Sequence, residues 1–176
     1  MRISSLLDSG QRATLPAIAH TAELSTAEAF AVVSLRLWAA LHRQPNQHHP
    51  DWRSGFAAAG VDEAERAFNE LFRLVLVSAQ RGIDVRCARC AHLGGDEIAV
   101  LRMVSQLQRC RWFEAETVLS DWLPAPVVNT ALAAAMIFST ALAGAGLVLP
   151  LRAWPKPDLD AFTCVSHAAG SAIRLH

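Results

Sequence analysis

Two cysteines separated by two residues, Cys87 and Cys90, form the pattern in this sequence that is most specific for chemistry. A turn of the backbone brings the two sulfur atoms of such a pair to one point, where both thiolates can bind the same metal ion. Tetrahedral zinc needs two further ligands, and Cys164 and His167 offer a second pair at the same spacing. The sequence therefore predicts a structural zinc site with the candidate ligands Cys87, Cys90, His92, Cys164 and His167.

The second half of this ligand set leaves alternatives open. His92 or Cys110 could replace a member of the second pair, and the insertion between the two pairs is longer than in zinc fingers or ribbons. Cys110 and Cys164 could also be small buried residues, as free cysteines commonly are. The zinc hypothesis requires a C-terminal tail, residues 151–176, that folds back onto the segment 83–95.

The same cysteine pair could instead be redox-active. Arg86 and Arg89 flank the sulfur atoms and would favour the thiolate form, as would a helix N-terminus that points at them. A thioredoxin-like site, however, needs a strand before the motif and a helix that runs through it. Neither is evident in the sequence, so a catalytic dithiol is the second interpretation.

A polar cluster next to Trp52 is the third candidate for chemistry. His48, His49 and Asp51 could supply metal ligands or a general base, although histidines in a loop flanked by prolines are commonly exposed and Asp51 can cap a helix. The sequence contains no P-loop, GxGxxG, GxSxG or HExxH pattern. A non-enzymatic protein is therefore favoured over a thiol- or metal-dependent enzyme.

Arginines cluster in the sequence around the cysteine pair and the helix that follows it. With the loop tied by zinc they could bind phosphate groups, which would make the protein a nucleic-acid-binding regulator. They could equally line a solvated helix face or pair with nearby carboxylates, and the turn and recognition helix of a helix-turn-helix motif are missing. The arginines that could contact nucleic acid are Arg86, Arg89, Arg102, Arg109 and Arg111.

Helical periodicity and capping residues position these groups. Ser25 and Glu28 have the spacing of a capping box, and Asp51, Gly60 and Asp62 can bound a short helix and start a longer one. The segment 83–95 lacks helical period, and no alternating strand pattern longer than a few residues occurs. The spacing predicts helices over 25–42, 62–81, 96–110, 113–123 and 126–145, with a further short helix ending at Ala59.

The resulting prediction is an all-α fold, a compact bundle of about five to seven helices with irregular N- and C-terminal arms. We divide the chain into an N-terminal arm (1–21), a helical domain (22–150) and a C-terminal tail (151–176). The predicted core residues are Phe68, Leu71, Val75, Leu101, Val104, Leu119, Leu132, Met136 and Phe138.

The segment between Asp121 and Arg152 contains no charged residue. A helix over 127–147 would be about 31 Å long, enough to cross a bilayer, and Trp122 and Trp154 lie where interfacial anchors would be needed. The segment is nevertheless rich in alanine and glycine, which suits a central helix that neighbouring helices approach closely. We therefore expect a buried core helix, with a membrane anchor over 126–147 as the alternative.

Length and charge bound the remaining possibilities. A chain of 176 residues with 52% hydrophobic residues is long enough for one domain with its own core, and its formal net charge of zero indicates no particular partner. The apolar run after Arg2 is too short for a secretory signal, so we expect a cytoplasmic protein. The leading hypothesis is a non-enzymatic helical binding or regulatory protein that contacts a protein partner or a second copy of itself.

Overall fold

A computed structural model of the chain describes residues 20–153, which form six α-helices and one short 3-10 helix. Within that range no strand occurs, and the all-α prediction is confirmed. Each of the five long helices begins and ends within three residues of its predicted bounds. The elements are the 3-10 helix Thr21–Glu23, α1 Thr26–Arg43, α2 Arg53–Ala59, α3 Asp62–Ser78, α4 Gly95–Leu107, α5 Trp112–Trp122 and α6 Ala125–Gly144.

The helices begin and end at residues whose chemistry favours those positions. Ser25 and Glu28 form the predicted capping box at the start of α1. Gly60 ends α2 with a φ of 66°, in the left-handed region that glycine adopts without strain. Asp62 is the first residue of α3 rather than its cap, which is Val61.

Two helices end three residues earlier than their periodicity predicts. At the end of α3 the backbone becomes extended at Ala79, and the next amide, that of Gln80, donates to the carbonyl of Trp122 at 2.8 Å. At the end of α4, Cys110 adopts a φ of 58° and the amide of Arg111 donates back to the carbonyl of Gln106. In both cases tertiary or capping hydrogen bonds replace the next helical ones.

The core is centred on α3 and α6, which pack extensively against each other. The Phe68 and Phe138 rings lie 5.3 Å apart between centroids, and Phe56 of α2 lies 5.4 Å from Phe68. All three rings are fully buried. The tight packing of aromatic rings at this junction fixes α2 and α3 against α6.

Seven of the nine predicted core residues are buried, and the two exceptions lie on α6. Leu132 is half-buried, and the prediction for Met136 is wrong because 46% of it is exposed. The reason is that α6 carries few polar residues and one of them, Ser139, is buried, so periodicity did not identify the side that faces α3. The confirmed core residues are Phe68, Leu71, Val75, Leu101, Val104, Leu119 and Phe138.

By length and composition α6 could cross a membrane, and 39% of its most apolar 18-residue window is buried. The core helix of a soluble protein passes the same test. The buried side of α6 packs on α3, whose outer side carries exposed charged residues such as Glu63, Arg66 and Arg73. The membrane interpretation of 126–147 stays a prediction, with this charged neighbour as an argument against a span.

After α6 the chain returns to the start of α1. The Arg152 guanidinium donates to both carboxylate oxygens of Glu28, at 2.6 and 2.8 Å, and both side chains are buried. Burial alone would raise the pKa of the Glu28 carboxyl, but hydrogen bonds from Arg152 and Ser25 hold that pKa below its ordinary value. The N-terminal arm before His20 and the tail from Trp154 onward lie outside the described residues.

Candidate functional site: the cysteine loop

Residues 83–94, here called the cysteine loop, connect α3 to α4 and carry the Cys87 and Cys90 pair at their tip. The two Cα atoms lie 5.4 Å apart and the sulfur atoms are at disulfide distance. The turn is closed by a hydrogen bond of 3.1 Å from the Cys90 amide to the Cys87 carbonyl. Cys87 is exposed, whereas Cys90 is half-buried. The predicted convergence of the two sulfur atoms is therefore confirmed.

A buried ion pair lies beneath this turn. Arg36 of α1 donates to both carboxylate oxygens of Glu97, at 2.7 and 2.8 Å, and the side chains are 3% and 0% exposed. The same guanidinium donates to the carbonyl of Cys90 at 2.6 Å and to that of His92 at 2.9 Å. The planar fork of arginine thus binds a helix and a loop at once.

Glu97 holds the loop from the other side. Its carboxylate accepts hydrogen bonds from the backbone amides of Arg86, at 3.0 Å, and Gly94, at 2.8 Å. Together the two charged side chains satisfy backbone groups before, within and after the turn that contains the cysteines. The backbone of this turn is therefore fixed independently of any bond between the sulfur atoms.

A second carboxylate anchors the start of the loop. Asp96 accepts from the Asp84 amide at 2.6 Å, from both terminal nitrogens of Arg81 and from the indole nitrogen of Trp122 at 3.0 Å. Hydrogen bonding to Asp96 and to Asp121 raises the pKa of the Arg81 guanidinium above its ordinary value. The loop start, α4 and α5 are thereby joined through one buried side chain.

Close backbone approach requires glycine at the other end of the loop. A Cβ atom at Gly94 would lie 2.6 Å from the carbonyl oxygen of Asp84, so any larger residue would push the two ends of the loop apart. Arg43 of α1 donates to the carbonyl of Val85 at 2.7 Å. Burial lowers the pKa of the Arg43 guanidinium, and the carboxylates of Glu97 and Asp84 oppose this effect.

The segment before α1 adds one more strand-like contact. The amide of Thr21 donates to the carbonyl of Ala91 at 2.7 Å, and His20 and His92 form an isolated antiparallel bridge. Their imidazole rings meet edge to face, with centroids 5.3 Å apart. The bridge thus pairs the segment before α1 with the residues that directly follow Cys90, where His92 is exposed and His20 is half-buried.

The remaining candidate zinc ligands are His92, Cys110, Cys164 and His167. Among residues 20–153 no group of three or more histidine, cysteine or acidic side chains could hold a metal ion. Cys164 and His167 lie outside the described residues, so the complete ligand set stays a prediction. Cys110 is exposed at the end of α4, and the alternative that it is a buried structural cysteine is wrong. Its exposure follows from the left-handed turn that ends the helix there.

The histidine cluster around position 50 has local structural roles. His49 Nε2 lies 2.8 Å from the carbonyl of Gln44, and the Asp51 carboxylate accepts from the amide of Arg53 at 3.1 Å. His48 and Asp51 are exposed. Asp51 therefore supports the start of α2, as predicted for a capping residue, although the cap position itself is Trp52.

The five arginines proposed for nucleic acid have different surroundings. Arg86 pairs with Asp84 at 3.1 Å, Arg111 pairs with Glu114, and Arg109 donates to the carbonyls of Ser105 and Leu149. Arg102 is half-buried. Arg89 is exposed and makes no hydrogen bond or ion pair with the residues that the structure describes. A nucleic-acid surface stays a prediction, and most of these side chains already have protein partners.

Comparison of the chain with protein-family models, curated proteins and solved structures gives no match.

Sequence reasoning missed the charged residues that position the cysteine pair. Arg36 interrupts the apolar face of α1, where Val32, Leu35 and Ala39 are all buried. A charge within an apolar helical face was the available signal, because such a residue must either break the face or find a buried partner. The partner, Glu97, is distant in sequence and could not be paired with it from periodicity.

Proposed function

We propose that this chain is a helical regulatory protein whose cysteine loop is a reversible dithiol–disulfide switch. One observation carries the proposal: Cys87 and Cys90 have their sulfur atoms at disulfide distance at an exposed turn, and the buried pair of Arg36 and Glu97 fixes the backbone of that turn. A fixed backbone keeps the two sulfur atoms close in the reduced form and so favours closure over reaction with other thiols.

The exchange reaction uses an external thiol as the reductant. Its thiolate attacks the sulfur of Cys87, which is the more exposed of the two. The bond between Cys87 and Cys90 breaks, and Cys90 leaves as a thiolate. A second external thiolate then attacks the external sulfur of the mixed disulfide, which releases an external disulfide and the Cys87 thiolate. Two electrons pass from two external thiols to the protein, and protons from solvent complete the dithiol.

The geometry supports a switch rather than a thioredoxin-like catalyst. In the described residues no strand precedes the motif, and α4 begins at Gly95, five residues after Cys90. The N-terminus of that helix is occupied by the Glu97 carboxylate, which accepts from the Gly94 amide. The positive end of the helix dipole therefore stabilises the Glu97 carboxylate instead of a cysteine thiolate. We therefore do not expect a strongly activated cysteine nucleophile at this turn.

Zinc binding by the reduced loop is the second candidate. It is supported by the same convergence of sulfur atoms, since two thiolates released from one turn can bind one ion. Two further ligands would come from His92, Cys164 and His167, with the C-terminal tail folded onto the loop. In this scheme the reduced loop binds zinc, and oxidation forms the disulfide and releases the metal. The two candidates are therefore compatible, because they concern the reduced and the oxidised state of the same loop.

Thiol counting tests the switch. A Cys110→Ser, Cys164→Ser variant retains only the loop pair, and we expect two alkylatable thiols after reduction and none after equilibration with oxidised glutathione. The transition should be reversible and follow the ratio of reduced to oxidised glutathione. Cys87→Ser in that background should lose its one thiol only by forming a mixed disulfide that adds the mass of one glutathione, whereas the loop pair should lose both thiols without added mass. A pair that remains fully reduced under oxidising conditions would contradict the proposal.

Elemental analysis tests the zinc candidate separately, on the full chain with all four cysteines. Reduced protein purified without added metal should contain about one zinc per chain, and oxidised protein should contain none. Cys87→Ser and His167→Ala should each lower the metal content of the reduced protein. Metal-free reduced protein that still cycles between dithiol and disulfide would exclude zinc and leave the switch intact.

A further inference from the structure

The tip of the cysteine loop carries a positively charged side chain, that of Arg89, which pairs with none of the described residues. Arg89 lies between Cys87 and Cys90 in the chain, so it belongs to the small ring that the two sulfur atoms close. Its side chain is exposed and makes no hydrogen bond or ion pair with the described residues. An arginine held beside an exposed cysteine, with no carboxylate of its own, is available to a ligand.

The carboxylates near the loop already have partners, and two of the three, Glu97 and Asp96, are buried. Glu97 is fully buried on Arg36, and Asp96 is buried on Arg81 and Trp122. Asp84 pairs with Arg86 and accepts from the amide of Gly95. The acidic groups of the region therefore neutralise other side chains and leave the charge of Arg89 at the turn uncompensated.

We propose that the loop disulfide reacts preferentially with anionic thiols, of the chemical class of carboxylate-bearing thiols such as glutathione, and that Arg89 is the residue that selects them. The inference rests on the proposed switch and names its reaction partner. Such a reagent approaches Cys87 as a thiolate that carries at least one further negative charge. The Arg89 guanidinium attracts this anion and can bind its carboxylate at the moment of attack.

The expected size of the effect follows from the exposure of the site. A unit charge several ångström from another in a mostly aqueous setting changes the rate of encounter and attack by roughly three- to tenfold. Salt should screen this effect, because Arg89 is exposed. A cationic thiol should be slowed by a similar factor.

Rate constants for reduction of the loop disulfide by three thiols test the inference. The probes are mercaptoacetate as the anion, 2-mercaptoethanol as the neutral thiol and cysteamine as the cation. Each rate is divided by the rate of the same thiol with hydroxyethyl disulfide, which removes differences in intrinsic reactivity. The measurements use the Cys110→Ser, Cys164→Ser background at low and high salt.

We expect the anion-to-cation rate ratio to fall by roughly ten- to a hundredfold in Arg89→Gln, because the anion loses its acceleration and the cation loses its retardation, and to drop further in Arg89→Glu. It should approach the neutral value for every variant at high salt. Arg66→Gln is the matched control, since this exposed arginine lies about 18 Å along α3 from the end of that helix and its loss changes the net charge equally. It should leave the ratio unchanged.

The outcomes separate the two proposals. If the disulfide is reduced by all three thiols with a ratio that Arg89→Gln does not alter, the selection by Arg89 is wrong and the switch stands. If no thiol reduces the disulfide, both proposals are wrong. Equal changes in Arg89→Gln and Arg66→Gln would assign the effect to net charge and overturn the inference.

Discussion

Replacement of Glu97 by glutamine tests whether one buried carboxylate positions the cysteine loop. One oxygen of Glu97 accepts from Arg36 Nε and the Arg86 amide, and the other accepts from Arg36 Nη2 and the Gly94 amide. Glutamine has the same shape, but its NH2 group donates. In either orientation of the amide, that group faces two N–H donors, so two hydrogen bonds are lost and the Arg36 charge loses its counter-ion.

The expected loss of stability is large. Removal of one partner from a buried ion pair costs about 3–5 kcal/mol, and this range already includes the penalty for the unsatisfied donors. A domain of this kind has a total free energy of unfolding of about 5–15 kcal/mol. Urea unfolding followed by far-ultraviolet circular dichroism should therefore show a clearly lower midpoint for Glu97→Gln, with an unchanged slope.

Two further variants make the test specific. Glu65→Gln is the control, because Glu65 pairs with Arg53 at 3.2 Å on the surface and such pairs contribute less than about 1 kcal/mol. The double variant Arg36→Met, Glu97→Leu removes both charges and should recover only part of the stability. The carbonyls of Cys90 and His92 would still lack their donor. A loss in Glu97→Gln as small as that in Glu65→Gln would refute the reasoning.

Three other predictions concern the rest of the fold. Glu28→Gln should lower the free energy of unfolding at neutral pH by about 3 kcal/mol, because Arg152 loses a buried partner. The pKa of Glu28 is lower in the folded protein than its ordinary value of 4.5, so this contribution is present above pH 4.5 and is lost as pH falls through the folded pKa. The difference between wild type and Glu28→Gln in urea unfolding should therefore shrink on acidification. A difference that stays constant down to acid pH would contradict this. Phe68→Ala should lower the free energy of unfolding by about 3–5 kcal/mol in the same assay, since the fully buried ring of Phe68 packs on Phe72 and Phe138. A loss below about 1 kcal/mol would show instead that the core collapses to fill the cavity. Met136→Lys should change the free energy of unfolding by no more than about 0.5 kcal/mol, because Met136 is 46% exposed. A larger loss, or a change in the sedimentation coefficient relative to wild type, would mean that another surface covers α6.

Local signals in the sequence were sufficient for the helices. Their starts depend on neighbouring residues, as in the capping box of Ser25 and Glu28, and their faces on a period that amphipathic segments such as α3 show clearly. On α6 the same reasoning was wrong for Met136, because the few polar residues of this helix lie on both its exposed and its buried side. Hydrophobic pattern identifies a core only where polarity varies around the helix.

The candidate site was predictable only in part. The spacing of Cys87 and Cys90 was enough to predict converging sulfur atoms, since a two-residue insertion closes a turn by geometry alone. The identity of the groups that hold the turn was not predictable, because Arg36 and Glu97 are 61 residues apart and meet only through the packing of α1 on α4. Ligands from the C-terminal tail stay predictions because Cys164 and His167 lie outside the described residues.

Two helix starts with similar sequences turn out to have similar chemistry. Leu24–Glu28 and Leu93–Glu97 each place a glutamate at the third helical position, where its carboxylate accepts from the backbone amide of the cap residue, Ser25 or Gly94, at 2.8 Å. A carboxylate at that position is favoured by the helix dipole and has lone pairs left over after capping.

In both cases a buried arginine from a distant segment fills those lone pairs. Arg152 binds Glu28 and so returns the chain after α6 to α1, while Arg36 binds Glu97 and so fixes the cysteine loop. A helix start therefore becomes an anchor for a segment that has no regular structure of its own. The physical requirement is a capping glutamate that is buried, because only burial makes the missing counter-ion expensive enough to specify one arginine. A short similarity between two helix starts, too brief to establish a repeat, can therefore still mark the positions that organise the fold and its candidate site.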